Sequence, residues 1–333
     1  MTPDAAPTQT GLGRAFSGPP ESERLMRWAT YAAVGTAVTL ILFKLVAWSL
    51  TGSLSLLSTL VDSVLDAAAS LLNLYAVRVA LEPADHDHRF GHGKAEPLAG
   101  LAQAAFIGGS ALFLLVEAGS RFLDPVPLAH SGVGVAVMVV SITATLGLVL
   151  FQRHVVRRTR SVAISADSMH YAGDVLINLS VIASLLLTQW AGLTWADPAF
   201  ATAIAAYLLF TGWTILRTAL SLLMDKEFEE PDRLRILDIA RDHPDVHDAH
   251  DLRTRSSGQQ AFIQLHLEMD RDFPLWKAHR IAEQVERRVR HAFPDADVLI
   301  HQDPTGIAEA HPSLAYEDGT DPNHAEPGTS APG

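Results

Sequence analysis

The apolar positions of this chain gather into long runs, unlike the short alternating stretches of a soluble core. Tyr31 to Leu50 and Leu98 to Val116 are two of them, and each approaches the roughly 20 residues a helix needs to cross a bilayer. Run length places about six spans, at Leu25–Ser49, Leu54–Ala80, Leu98–Phe122, Gly132–Phe151, Val162–Trp190 and Pro198–Leu220. No short charged-then-apolar leader with a small-residue cleavage site opens the sequence, so the first run reads as a retained span.

The polar segments between the runs alternate in charge. Thr51 to Ser53, Leu123 to Ser131 and Ala191 to Asp197 carry no Lys or Arg. Arg24 and Arg27 precede the first span, and Arg78, Arg89 and Lys94 follow the second. Arg153, Arg157, Arg158 and Arg160 follow the fourth, and Arg217 and Lys226 close the last. Positive loops stay cytoplasmic, so the expectation is a multi-pass inner-membrane protein with both termini inside.

Beyond Leu223 the pattern changes. Pro231 to Asp242 has the look of a helix, with Leu234, Leu237 and Ile239 among charged residues. Ala249 to Arg255 and Ala261 to Met269 read as strands around a turn at Ser256, Ser257 and Gly258. The second alternates: Phe262, Gln264, His266 and Glu268 on one face, Ile263, Leu265 and Leu267 on the other. Trp276 to His291 reads as an amphipathic helix, and Asp297 to Gln302 as a last strand. The order αββαβ predicts a small α+β domain, sheet on one side and helices on the other. The expected division is a Pro- and Gly-rich disordered tail at 1–21, a six-helix transmembrane domain at 22–223, a metal-binding α+β domain at 224–304 and a disordered acidic tail at 305–333.

Composition supports this reading and narrows the chemistry. Hydrophobic residues make up 48% of the 333, and the mean hydropathy is +0.17. There is no cysteine, which excludes disulfides and thiolate metal sites. A bound metal has to use the 15 histidines, carboxylates or backbone oxygen. The net charge of −12 argues against nucleic acid and is compatible with attracting cations.

Four polar residues fall at bilayer depth. Asp62 and Asp66 stand at i and i+4 in the second span, and His170 and Asp174 repeat that spacing in the fifth. Each pair therefore shares one helix face. An ionised Asp near the bilayer centre costs on the order of 2.5–3.5 kcal/mol, so the set costs about 10 kcal/mol without partners. Two such faces can converge on one four-ligand site, and three carboxylates with one imidazole suit Zn²⁺. The alternative is interhelical hydrogen bonding, which membranes more often build from Ser, Thr, Asn or Gln; Asn73 and Asn178 fit that role. Metal needs the neutral imidazole of His170, so protons compete with metal there.

Two further clusters stand out. In the segment Asp85-His86-Asp87-His88-Arg89-Phe90-Gly91-His92-Gly93-Lys94, a compact turn of Asp85, His88 and His92 could hold a metal. A hydrated polar loop is an equal reading, and His86 or Asp87 could replace the named ligands. The last domain carries His250, His266, His279, His301 and Asp303. His301 and Asp303 face the same side of their strand. His243, His247 and His291 read as surface residues.

These stretches resemble the cation diffusion facilitator family, most closely its bacterial zinc and ferrous-iron efflux branch, over roughly Leu25 to Pro304. Asp62 to Asp66 and His170 to Asp174 look like the two halves of the family's transport site. Phe90-Gly91-His92-Gly93-Lys94-Ala95-Glu96, His250-Asp251-Leu252-Arg253-Thr254-Arg255 and His301-Gln302-Asp303-Pro304 resemble its other signatures. The resemblance implies a homodimer, a ferredoxin-like cytoplasmic domain and metal/proton antiport by alternating access, with His170 and Asp66 coupling the proton. It also implies a loop site of Asp85, His88 and His92, and a binuclear site of His250, His266, His279, His301 and Asp303. Lys94 and Asp225 then form a salt bridge joining the membrane and cytoplasmic parts, and Met169 takes a hydrophobic gate position. Both tails and the short Arg-rich fourth loop depart from many relatives, and the latter favours the bacterial branch.

The expected cargo is Zn²⁺, with Fe²⁺ or Cd²⁺ as alternatives. Mn²⁺ is disfavoured because it prefers all-oxygen sites. Two readings of other classes are a membrane metal sensor without flux and an intramembrane zinc hydrolase. The latter needs an open coordination position and a general base, and no H-E-x-x-H element is present.

Overall fold

The structure, a computed structural model, describes residues 20–52, 54–123, 132–191, 193, 195–294 and 296–306. The predicted tails at 1–21 and 305–333, apart from their inner ends, and the loop at 124–131 lie outside the described residues. The described chain forms two compact units.

The first unit contains six helices long and apolar enough to cross a membrane. They are α1 (Pro20–Thr51), α2 (Leu54–Ala80), α3 (Ala95–Leu123), α4 (Gly132–Thr159), α5 (Val162–Ala191) and α6 (Ala196–Leu223). A helix is the natural state of such segments, because it satisfies its own backbone where lipid offers no hydrogen bonds. Helix α3 packs chiefly on α6, α1 on α2 and α4, and α5 on both α4 and α6. Between the helices lie small residues and compact apolar clusters, such as Ala104, Ile107, Ala111, Ala166, Leu208 and Ile215. Large side chains such as Phe113, Val116, Phe210 and Trp213 point outward, a surface stable against lipid and prone to association in water.

Helix α4 runs two turns past the predicted end at Phe151, so Arg153, Arg157 and Arg158 lie on a helix and only Arg160 and Ser161 break it. Long basic side chains can extend a span beyond its apolar run by carrying their charge to the interface. Arg160 turns the chain with a left-handed φ of 53°. Helix α5 then starts under a cap: Ser161 Oγ accepts the Ile164 N–H at 3.2 Å, one of the donors a helix start leaves unpaired. Where α5 crosses α6, a Cβ on Gly173 would lie 2.6 Å from Leu208 Cδ2; glycine allows that close approach.

The second unit holds α7 (Glu230–Arg241), β1 (Val246–Ser257), β2 (Gln260–Met269), α8 (Leu275–Ala292) and β3 (Ala296–Pro304). The hairpin tip, Ser256–Gln260, groups with the first unit. The sheet order is β1-β2-β3. Strands β2 and β3 are parallel, in a register that sets His266 opposite His301 and Glu268 opposite Asp303. A parallel pair needs a crossover, and α8 supplies it. Ile263, Leu265 and Leu267 of β2 pack with Ile236 of α7 and Ile281, Val285 and Val289 of α8. The helices therefore cover one sheet face, and the histidines emerge on the other. His243, expected at the surface, is buried. Its Nε2 meets Gln284 Oε1 at 2.9 Å and its Nδ1 accepts the Asp245 N–H at 3.2 Å, so it serves the turn after α7.

Candidate metal centres

Helices α2 and α5 bring Asp66, His170 and Asp174 together, each offering a ligand atom within 4.8 Å of the others. His170 Nε2 lies 3.1 Å from Asp66 Oδ1 and 4.0 Å from Asp174 Oδ2. The imidazole is 11% exposed and Asp66 26%, so the cluster is largely screened. An imidazole nitrogen between two carboxylates fits the donor preference of Zn²⁺ and similar ions. Asp62 is exposed and is not in this group. It lies one turn of α2 from Asp66, about 5.4 Å along the axis. The two carboxylates repel, which favours turning one toward His170 and the other away.

Two further charged residues of the spans were not singled out by sequence reasoning. Asp167, one turn before His170, is wholly buried, and Gln152 Nε2 of α4 donates to its Oδ2 at 2.6 Å. Lys44 of α1 donates from Nζ to Ser63 Oγ at 2.6 Å and to Thr59 O at 3.1 Å, both on α2. The insertion cost that flagged the other carboxylates applies to both, and was the signal available for them. Tyr171 Oη and Ser70 Oγ share a 2.7 Å hydrogen bond that ties α5 to α2 beside the cluster. Met169 packs against the apolar cluster that α5 shares with α3 and α6. Asn178 donates to the Asp174 carbonyl of its own helix at 2.8 Å, while Asn73 is buried within the bundle.

The loop after α2 forms a second cluster of Asp85, His88 and His92, again within 4.8 Å. Asp85 Oδ1 accepts the backbone N–H groups of His88 at 2.6 Å and Asp87 at 2.9 Å. The first of these leads in holding its carboxyl below the usual range, so the carboxylate is ready as an anionic ligand. His92 Nε2 stands 3.5 Å from Asp85 Oδ2. His86 pairs only loosely with Asp87 at 3.4 Å, and both are exposed. Asp85, His88 and His92 are thus the residues brought together in this loop, and His86 and Asp87 lie outside the group.

Lys94 Nζ reaches Asp225 Oδ1 at 2.7 Å and Leu223 O at 3.1 Å, tying the start of α3 to the end of α6. Asp225 adopts a left-handed φ of 55°. Both side chains are more than a third exposed, so the pair contributes about 1 kcal/mol or less. Lys94→Ala and Asp225→Ala should each lower the melting temperature slightly, and the double variant by less than their sum. Strict additivity in a double-mutant cycle would show that the pair contributes nothing.

The third cluster lies on the open face of the sheet. His250, His266 and Asp303 offer ligand atoms within 4.8 Å. Asp303 is 6% exposed; its Oδ2 lies 2.8 Å from His266 Nδ1 and 3.6 Å from His250 Nε2, and its Oδ1 lies 3.0 Å from His301 Nε2. The rings of His266 and His301 are 4.6 Å apart. The backbone of β1 explains how His250 joins. Asp251 has a left-handed φ of 44°, and the buried positions step by three residues, from Ala249 to Leu252, which breaks the two-residue alternation and re-aims the side chains between them. Asp251 Oδ2 then lies 3.5 Å from His266 Nε2 and is held by Arg253 Nη2 at 3.0 Å. Sequence reasoning quoted Asp251 in a motif and assigned it no role; strand periodicity alone points it away. His279 does not join. It lies on α8, is 65% exposed, and faces Glu283 at 3.6 Å.

Comparison with known proteins agrees with this architecture. The Cation efflux transmembrane domain family matches residues 30–224, and the Cation efflux protein, cytoplasmic domain family matches residues 228–305. The chain is 50% identical over 288 residues to the cation-efflux pump FieF of Serratia proteamaculans (strain 568), covering 86% of this chain and 96% of that one. It is 48% identical over the same coverage to FieF of Yersinia enterocolitica. Among solved structures, the zinc form of CzrB is 30% identical and aligns with 26% of this chain and 98% of its own, at a TM-score of 0.24. Two matched domains in the expected order, and relatives half identical along nearly their whole length, leave one assignment: this chain belongs to the cation efflux, or cation diffusion facilitator, family.

Proposed function

We propose that the chain exports a divalent transition metal, zinc foremost, in exchange for protons, by exposing the Asp66–His170–Asp174 cluster alternately to either side of the membrane. The carrying observation is that convergence, since the three side chains come from two helices long enough to span a bilayer. Asp62, one turn from Asp66, completes the ligand set when the cation draws the two carboxylates together. Neutral His170 binds metal; protonated, it donates to Asp66 across the 3.1 Å contact. Proton entry and metal exit are then one exchange. Met169 closes one side of the site against α3 and α6.

The loop cluster of Asp85, His88 and His92 and the sheet cluster of His250, His266, His301 and Asp303 are read as further metal sites. When occupied, the metal supplies cross-links between strands and loops. The sheet cluster regulates transport or stabilises a homodimer, and His279 joins it only through a rearrangement or a second copy of the chain. The alternation of basic loops supports an inner-membrane protein with both termini in the cytoplasm.

Zinc is favoured over Mn²⁺ by the imidazole, and the donor set also accommodates Fe²⁺ and Cd²⁺. In proteoliposomes, Zn²⁺ uptake should follow an opposing proton gradient and collapse when the gradient is dissipated. Competition among Zn²⁺, Cd²⁺ and Fe²⁺ in the same assay ranks the cargo. Uptake indifferent to the proton gradient would end the antiport reading. Metal binding without flux would support the sensor reading.

A further inference from the structure

One charge at the membrane cluster is of the wrong sign for a cation site. Lys44 lies in α1, seven residues before the helix end at Thr51, so its Cα sits roughly 10 Å from that end. A lysine so placed would ordinarily extend its stem toward the interface and carry its ammonium to water. Here the ammonium turns inward and is fixed on α2 by Ser63 Oγ at 2.6 Å and Thr59 O at 3.1 Å. Ser63 follows Asp62 directly, and Asp66 lies three residues on. The electrostatic partners of Lys44 are Asp66, Asp62 and Asp174. The ammonium of α1 is thus fixed on the helix that carries Asp62 and Asp66, beside Ser63, and Asp66 in turn contacts His170.

We propose that Lys44 is a tethered counter-charge of the transport site, which offsets its carboxylates between cargoes and weakens the hold on a bound dication enough for release. This rests on reading Asp66, His170 and Asp174 as that site. A carrier must bind its ion well enough to collect it and loosely enough to let it go. A bare cluster of carboxylates in a low-dielectric surround would hold a dication too firmly, since Coulomb energies grow as the effective dielectric falls. A fixed positive charge held on α2 beside Ser63 lowers that affinity without occupying a coordination position. It also lets the emptied carrier return with less uncompensated negative charge inside the bilayer, which is costly. Lys44 touches α2 and not the ion, so it is a positioning and field-setting residue.

The test is Zn²⁺ titration of the purified full chain in nanodiscs, paired with uptake kinetics. Asp66→Ala identifies the binding phase that belongs to the membrane cluster, because that phase disappears. Lys44→Gln keeps a hydrogen-bond donor for Ser63 and Thr59 but removes the charge; Lys44→Met removes both and suits a lipid-facing helix should Gln impair folding. The expected result is that both tighten the Asp66-dependent phase by about tenfold, with KM and kcat for uptake falling together. Lys44→Arg keeps the charge and should stay within about twofold of the parent chain on the same scale. An unchanged or weaker phase in Lys44→Gln and Lys44→Met reduces Lys44 to a helix tether and overturns the proposal. If Asp66→Ala removes no phase at all, the site reading itself fails, and the role of Lys44 falls with it.

Discussion

Asp66→Ala is expected to abolish metal uptake into proteoliposomes, by on the order of 100-fold or more, while the protein remains folded and monodisperse. Asp66 is the residue of the membrane cluster that His170 contacts most closely, at 3.1 Å. Losing a hydrogen-bonded outer partner of a metal ligand typically lowers affinity or activity about 10–100-fold, and a direct ligand should cost at least as much. Stability points the other way. A carboxylate at bilayer depth costs about 2.5–3.5 kcal/mol on insertion scales, and alanine is the better helix former. Lost uptake with an unchanged or higher melting temperature is therefore the signature of a ligand. Lost uptake with early melting would make Asp66 a structural partner of His170 instead. Asp62→Ala in the same assay shows whether the outlying carboxylate joins during the cycle: a loss as deep as that of Asp66→Ala makes it a fourth ligand.

His266→Ala is expected to remove most of the metal-induced stabilisation of the C-terminal domain and to leave part of the transport. His266 is central to the sheet cluster. One ring nitrogen faces Asp303 at 2.8 Å and the other Asp251 at 3.5 Å, and its ring lies tilted between those of His250 and His301. A metal that binds only the folded state stabilises it by about 2.7 kcal/mol at a concentration of 100 Kd. A hundredfold loss of affinity would remove most of that. Differential scanning of the full chain with and without Zn²⁺ reads the effect as a vanished shift of the later-melting or earlier-melting domain. Complete loss of flux in a well-folded His266→Ala would place the sheet cluster on the transport path and contradict a regulatory role.

The extent to which sequence determined this protein differs between its parts. The helices were legible because crossing a bilayer is a length constraint: α2 begins and ends where its apolar run does, and α5 begins at the predicted Val162. The C-terminal order αββαβ was legible because β2 alternates strictly and α8 carries a strong helical period. The extension of α4 was not, since Arg153, Arg157 and Arg158 look like loop residues and prove to be helical. Among the site residues, i and i+4 spacing placed His170 and Asp174 on one face by the geometry of the helix alone. Asp167 and Lys44 obeyed the same insertion-cost rule, yet single ionisable residues attract less notice than pairs.

Tertiary structure decided what no periodicity can express. It set the rotation of α5 against α2, which gives His170 to Asp66 and leaves Asp62 outside. It brought Lys44 from a third helix onto α2, at Ser63, the neighbour of Asp62. In the sheet domain, a single left-handed residue in β1, Asp251, re-aims His250 toward Asp303, and the parallel β2–β3 register sets His301 opposite His266. It also kept His279 on α8 and out of the cluster. The physical reason is one of range. Helix and strand periods follow from local sterics and the solvent each residue meets, so the chain carries them in its order of residues. Which two faces meet, and in what register, depends on packing summed over many distant side chains, and that sum exists only in the folded molecule.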